Sequence, residues 1–213
     1  MHLHGSHFMK LLAIAVLTLV VTVAVPAAAD STYTWDFATT PNQSLGSLSS
    51  VYVNNGLSIS ATGSTNLYYK QLGLGETGLG LNNCLKGGCD HEIQVGQSIS
   101  FNLSSLLNKN VMGISLILES VQPGETGSVC DAFGTCITVT SANNDKPISL
   151  MGLFTDMRSH HSGKLVVSAG SGDVLVNQLQ ATTCATVPEP SSLLLMGSGL
   201  VGLAGIVRHK FCS

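Results

Sequence analysis

Two carboxylates one residue apart, Asp90 and Glu92, are the nearest approach in this chain to a cation site. Hard oxygen ligands suit calcium, which gathers about six to eight of them, so this pair would need loop carbonyls to complete a sphere. Structural calcium is therefore the one cofactor the residues leave open. His91 between them has no second ligand at zinc spacing. His160 and His161 are adjacent, would point to opposite faces of a strand, and read as a polar loop. Gly73 to Gly78 matches G-x-G-x-x-G but runs into Leu79-Gly80-Leu81-Asn82-Asn83, which is poor helix material. A dinucleotide site needs a helix N-terminus there, so the run reads as a glycine loop between strands.

The cysteines offer redox chemistry of a structural kind. Cys84 and Cys89, and Cys130 and Cys136, lie in turn-rich stretches and are spaced to close small disulfide loops, as in exported proteins. Cys184 is left over, and no C-x-x-C pair is present. For a carbohydrate ligand the candidate aromatics are Trp35, Tyr68 and Tyr69, with Tyr52 beside them. No G-x-S-x-G, H-E-x-x-H or Ser/His/Asp neighbourhood marks an enzyme. A secreted hydrolase would require an exposed cleft with two carboxylates of raised pKa.

The elements that must carry these residues are strands. Tyr33, Trp35 and Phe37 alternate with polar neighbours, as do Leu57 and Ile59, and Ile99, Phe101 and Leu103. Met112, Ile114, Leu116 and Leu118 share one parity, and Ile137 with Val139, Leu165 with Val167, and Val174 with Val176 and Leu179 continue the pattern. Period two is the mark of strands with one buried face. Asn54-Asn55-Gly56, Gln122-Pro123-Gly124, Asn143-Asn144-Asp145 and Gly170-Ser171-Gly172-Asp173 supply turns between them. With no helical segment expected beyond a short turn near Leu103 to Asn108, the body reads as all-β, an antiparallel β-sandwich of jelly-roll type.

Composition agrees with an extracellular β-protein. Residues 30–186 hold six basic and eleven acidic side chains, a formal net charge of −5. No Lys/Arg cluster is present, which excludes the electrostatic footprint of a nucleic-acid binder. Charged residues make up 10% of the chain against about 25% in an average soluble domain. Solubility therefore falls to Ser, Thr, Asn and Gly.

The two ends have another character. Lys10, the apolar run Leu11 to Val25 and Pro26-Ala27-Ala28-Ala29 have the order of a secretory signal peptide, which assigns residues 1–29, with 1–8 as an upstream extension. At the other end Val187-Pro188-Glu189-Pro190 precedes Ser191 to Val207, a stretch without charge, and then Arg208-His209-Lys210. As a helix, 191–207 would reach roughly 26 Å, close to the bilayer's hydrocarbon thickness of about 30 Å. Basic residues after the span place the C-terminus on the cytoplasmic side and the body outside. Each proline disfavours helix in the residue before it, which keeps the Pro-Glu-Pro stretch extended above the membrane.

That order of Pro188, Glu189 and Pro190, a short glycine-containing span, and Arg208 with Lys210 resembles the tripartite sorting signal of PEP-CTERM proteins over residues 187–213. The basic end is thinner than is usual in that family. The resemblance implies processing by an exosortase-type membrane enzyme, transient anchoring in the inner membrane, and release to the cell surface or extracellular matrix. A second, diffuse likeness joins Gly78-Leu79-Gly80-Leu81, Asp90-His91-Glu92-Ile93 and Ile99-Ser100-Phe101 to the globular part of many such proteins. It implies a shared sandwich, of a kind often used for carbohydrate binding. The expectation is a structural, exopolysaccharide-associated protein without enzymatic activity, with a carbohydrate-binding module as the alternative.

Overall fold

In the computed structural model of the chain, residues 30–39, 43–46, 50–71, 76–82, 84–85, 88–184 and 199 are described. The chain divides into two units, Met1–Ala29 with Thr186–Ser213, and Asp30–Ala185. The signal peptide expected at 1–29 and the helix expected at 191–207 fall outside the described residues but for Gly199. No helix among the described residues is long and apolar enough to cross a membrane.

The body is built from short strands: β1 (Ser31–Asp36), β2 (Gln43–Gly46), β3 (Ser50–Asn54), β4 (Leu57–Gly63), β5 (Leu67–Gln71), β6 (Thr77–Leu81), β7 (Cys84–Leu85) and β8 (Gly88–Cys89). There follow β9 (Ile93–Gln94), β10 (Ser98–Asn102), β11 (Val111–Glu119), β12 (Thr126–Asp131), β13 (Cys136–Thr140), β14 (Ile148–Ser149), β15 (Lys164–Ser171) and β16 (Asp173–Thr183). One sheet runs β14-β11-β16-β6-β5-β2, with β1 and β9 also pairing β16; the other runs β13-β12-β15-β10-β4-β3. The named pairs are antiparallel throughout.

Alternation explains why the two sheets close on one core. Leu116, Leu118, Val176 and Leu179 from the first sheet join Ile59, Ile99, Phe101, Val129 and Val167 from the second in a single buried cluster. The all-β reading holds. Turn chemistry behaves as its residues dictate: Asn55 and Gly56 both take positive φ, 47° and 84°, in a two-residue connection that pairs Asn54 with Leu57. Positive φ at both central positions matches the right-handed twist of a hairpin.

Two expectations need correction. Met151–Ser159 is a helix (α2), following the single turn α1 at Ser104–Leu107. Leu150, Leu153, Phe154 and Met157 are buried at helical spacing, and they seat α2 against the sandwich. Met112 does not share the buried side of Ile114, Leu116 and Leu118. The pairing slips between Val111 and Gly113, so Val111 turns inward and Met112 is 56% exposed. A second slip inserts Asn177 between the partners of Ile117 and Leu118, which lets Val176 and Leu179, three apart, both face the core.

Candidate functional site

The most elaborate chemistry lies at the end of the sandwich where β16 begins. On β5, Lys70 pairs with Gly78 of β6 and is buried at 2% exposure. Its Nζ meets Glu92 Oε1 in a short contact, Glu76 Oε2 at 3.1 Å and Asp90 Oδ1 at 3.5 Å. Ser120 Oγ stands 3.1 Å from each Glu92 oxygen and 3.4 Å from Asp173 Oδ1. Three carboxylates thus converge on one ammonium, and Ser120 and Asp173 join the cluster on the Glu92 side.

A glycine makes the convergence possible. A Cβ on Gly80 would come within 1.9 Å of the His91 carbonyl oxygen. That carbonyl accepts the Leu81 N–H at 3.2 Å, so the 90–92 segment lies directly over β6. His91 adopts φ 65° and stacks its ring on Tyr68 at 3.7 Å. The glycine, the acidic residues and Ile93, separate in sequence, are parts of one crossing.

Protonation follows from burial. Removal from water pulls the Lys70 pKa down, but the hydrogen bonds that its ammonium donates to Glu92 and Glu76, with the charges of those carboxylates, outweigh it and hold the pKa above the ordinary value. Burial first, and then the hydrogen bond with Asp173, push Glu92 up to about 8 against the pull of Lys70. Both shifts act in one direction, toward keeping protons in the cluster. His91 is lowered by burial and by the charge of Lys70.

Oxygen atoms of Asp90, Glu92 and Asp173 all fall within 4.8 Å of one another, a spacing that would suit a metal. The fit fails on the cation already built in, because Lys70 Nζ contacts both Glu92 and Asp90. An ion placed among these carboxylates would compete with a buried ammonium that cannot leave without losing its partners. The calcium candidates Asp90 and Glu92 therefore serve an internal ion cluster.

Beside the cluster opens a cleft of about 400 Å³ lined by Glu76, Glu119, Asn144 and Asp145 among others. Glu119 Oε2 accepts the Thr77 N–H at 2.8 Å, and Oε1 accepts from Asn177 Nδ2 in a short contact. Burial raises the Glu119 pKa, opposed by the Thr77 hydrogen bond and reinforced by Asp145. A hydrolase would want two such carboxylates facing the cleft, and Glu92, the other raised group, is buried against Lys70.

Trp35 and Tyr69 are core residues, 3% and 7% exposed, so neither offers a face to a ligand. Tyr52 packs edge-on against Phe37 and Tyr69, and Tyr68 is half-buried beneath His91. Cys130 and Cys136 form a disulfide across the β12–β13 hairpin, where they are direct partners. Cys84 and Cys89 are opposed in the β7–β8 register, but their side chains lie outside the described residues. Pro188, Glu189, Pro190, Arg208 and Lys210 also lie outside them. Sequence reasoning missed Lys70, Ser120, Glu119 and Asp173. Lys70 follows the inward Tyr69 and by strand parity should face water; only the covering 76 and 90–92 segments bury it.

An all-β body carrying a buried structural ion cluster is, by class, an antiparallel sandwich appended to sorting information. That information is specific: the family model for the PEP-CTERM protein-sorting motif matches residues 186–208. The chain thus carries a PEP-CTERM sorting motif at this end, and the motif implies export, membrane anchoring at the C-terminus and processing by an exosortase-type enzyme. No curated protein matches it.

Proposed function

We propose that the protein is a structural, non-enzymatic component of the extracellular matrix, delivered by its sorting motif and associated with exopolysaccharide. The observation that carries this reading is the joining of the PEP-CTERM motif at 186–208 to a sandwich whose most elaborate polar site is spent on an internal cation. The cluster is held together by a cation of the chain's own, Lys70, and the exposed strand faces are hydroxyl-rich and poor in charge. Such faces exchange hydrogen bonds with sugar hydroxyls at little desolvation cost compared with charged groups.

The test is fractionation of producing cells. The matrix polysaccharide fraction of the parent strain should contain the protein, with an intact mass showing loss of the residues after the Pro-Glu-Pro stretch. A strain unable to make the polysaccharide should release it to the medium. Equal retention in both strains would overturn the reading.

A further inference from the structure

We propose that an open groove on the outer face of the six-stranded sheet binds an acidic polysaccharide, a glycan bearing carboxylates such as a uronate chain. This rests on the matrix reading above and specifies the surface and the ligand chemistry. The groove has a volume of about 540 Å³, within the range of roughly 300–1,000 Å³ found for ligand sites.

Strand register builds its floor. Asn102 of β10 is the partner of Ser60 on β4 and of Lys164 on β15, so a cation, an amide and a hydroxyl lie in one row across three strands. At about 4.8 Å between strands this row spans about 10 Å. Ser100 and Thr62 form the next row. These side chains alternate with buried Ile59, Ala61, Ile99 and Phe101, which fixes them on the outside. His161 and Ser162 make one wall.

That wall is rigid. Leu103 N–H donates to the Gly163 carbonyl at 2.7 Å, and a Cβ on Gly163 would lie 2.4 Å from Ser104 N. His161 is held at φ 54° with its N–H on the Arg158 carbonyl. The turn after α2 is thus clamped on the start of α1, and the groove needs no rearrangement to form.

The ligand class follows from what the lining offers. The Asn102 side-chain oxygen accepts the Ser104 N–H at 3.0 Å, which leaves its NH₂ to donate outward. Lys164 has no ion-pair partner among the described residues, and no carboxylate lines the groove. A row of hydroxyl and amide groups beside an unpaired ammonium and an imidazole matches a sugar chain that carries negative charge. Phe101, the only aromatic carbocycle among the lining residues, is 1% exposed, so stacking of a neutral sugar ring has no platform there.

The full-length protein in a non-ionic detergent is titrated with oligogalacturonate and, in parallel, with neutral maltohexaose. The acidic oligosaccharide should bind, with affinity falling as sodium chloride rises, and maltohexaose should not. Lys164→Ala and Asn102→Ala should each weaken binding about tenfold, whereas Lys146→Ala, an exposed lysine on another face, should leave it unchanged. Unchanged melting temperatures of the variants show that folding is intact. No binding of oligogalacturonate, equal binding of maltohexaose, or wild-type affinity in both groove variants would overturn the proposal. Should binding fail while the protein still fractionates with polysaccharide, the groove is wrong and the matrix role stands; should both fail, both are wrong.

Discussion

Replacing Lys70 with Met removes the ammonium and keeps the volume, so it isolates the ion cluster. Glu76 and Asp90 are 39% and 38% exposed and can turn to water, so each pairing is worth at most about 1 kcal/mol. The cost concentrates on Glu92, which is 2% exposed. At pH 6 Glu92 holds a proton with or without Lys70, and the loss is one charge-assisted hydrogen bond, about 2 kcal/mol. At pH 9 the wild-type Glu92 is ionised against Lys70, and the variant must bury that charge alone or take up a proton. The loss then grows to about 3–5 kcal/mol. For a body of this size that corresponds to a fall in Tm of about 4–8 °C at pH 6 and about 10 °C or more at pH 9. Urea unfolding followed by intrinsic fluorescence at both pH values measures it. The double variant Lys70→Met with Glu92→Leu should recover most of the loss, because an apolar pair replaces a buried ionic one. A cost below about 1 kcal/mol at both pH values, or one independent of pH, would refute the assignment of the cluster as the lock on this end of the sandwich.

Other expectations follow from the same geometry. Glu92 has a folded pKa of about 8, above its ordinary 4.5, so its contribution is fully present below 4.5 and lost as pH rises through 8. Glu119 is shifted the same way, and the urea midpoint should fall from pH 5 to pH 9, with Glu92→Gln flattening that slope. Gly80→Ala drives a methyl into the His91 carbonyl and should cost about 3 kcal/mol. Combined with Lys70→Met its cost should be less than additive, because both changes release the same segment; thermal melts of the single and double variants decide. Serine at both Cys130 and Cys136 opens a small loop and should cost about 2 kcal/mol on the chain-entropy account, read as a Tm lower by about 4–8 °C.

Local chemistry sufficed for much of the architecture. Alternation at Leu57 and Ile59 or Ile99 and Phe101, the Asn55-Gly56 turn and the facing cysteines at 130 and 136 each depend on neighbours a few residues away, and period and turn type are local properties. The sorting motif is linear and was legible from its order alone. Leu150, Leu153, Phe154 and Met157 carried a helical period as well, obscured by the strands on either side. Hidden from any linear reading were the two slips in β11 and β16, because a bulge is a property of a pair and no single strand records it. The ion cluster was hidden for the same reason. Lys70, Glu76, Asp90, Ser120 and Asp173 span a hundred residues, and strand parity alone points Lys70 to water. Only tertiary packing, with a chain segment crossing over Gly80, buries that lysine and turns carboxylates that resemble a metal site into partners for an internal ammonium.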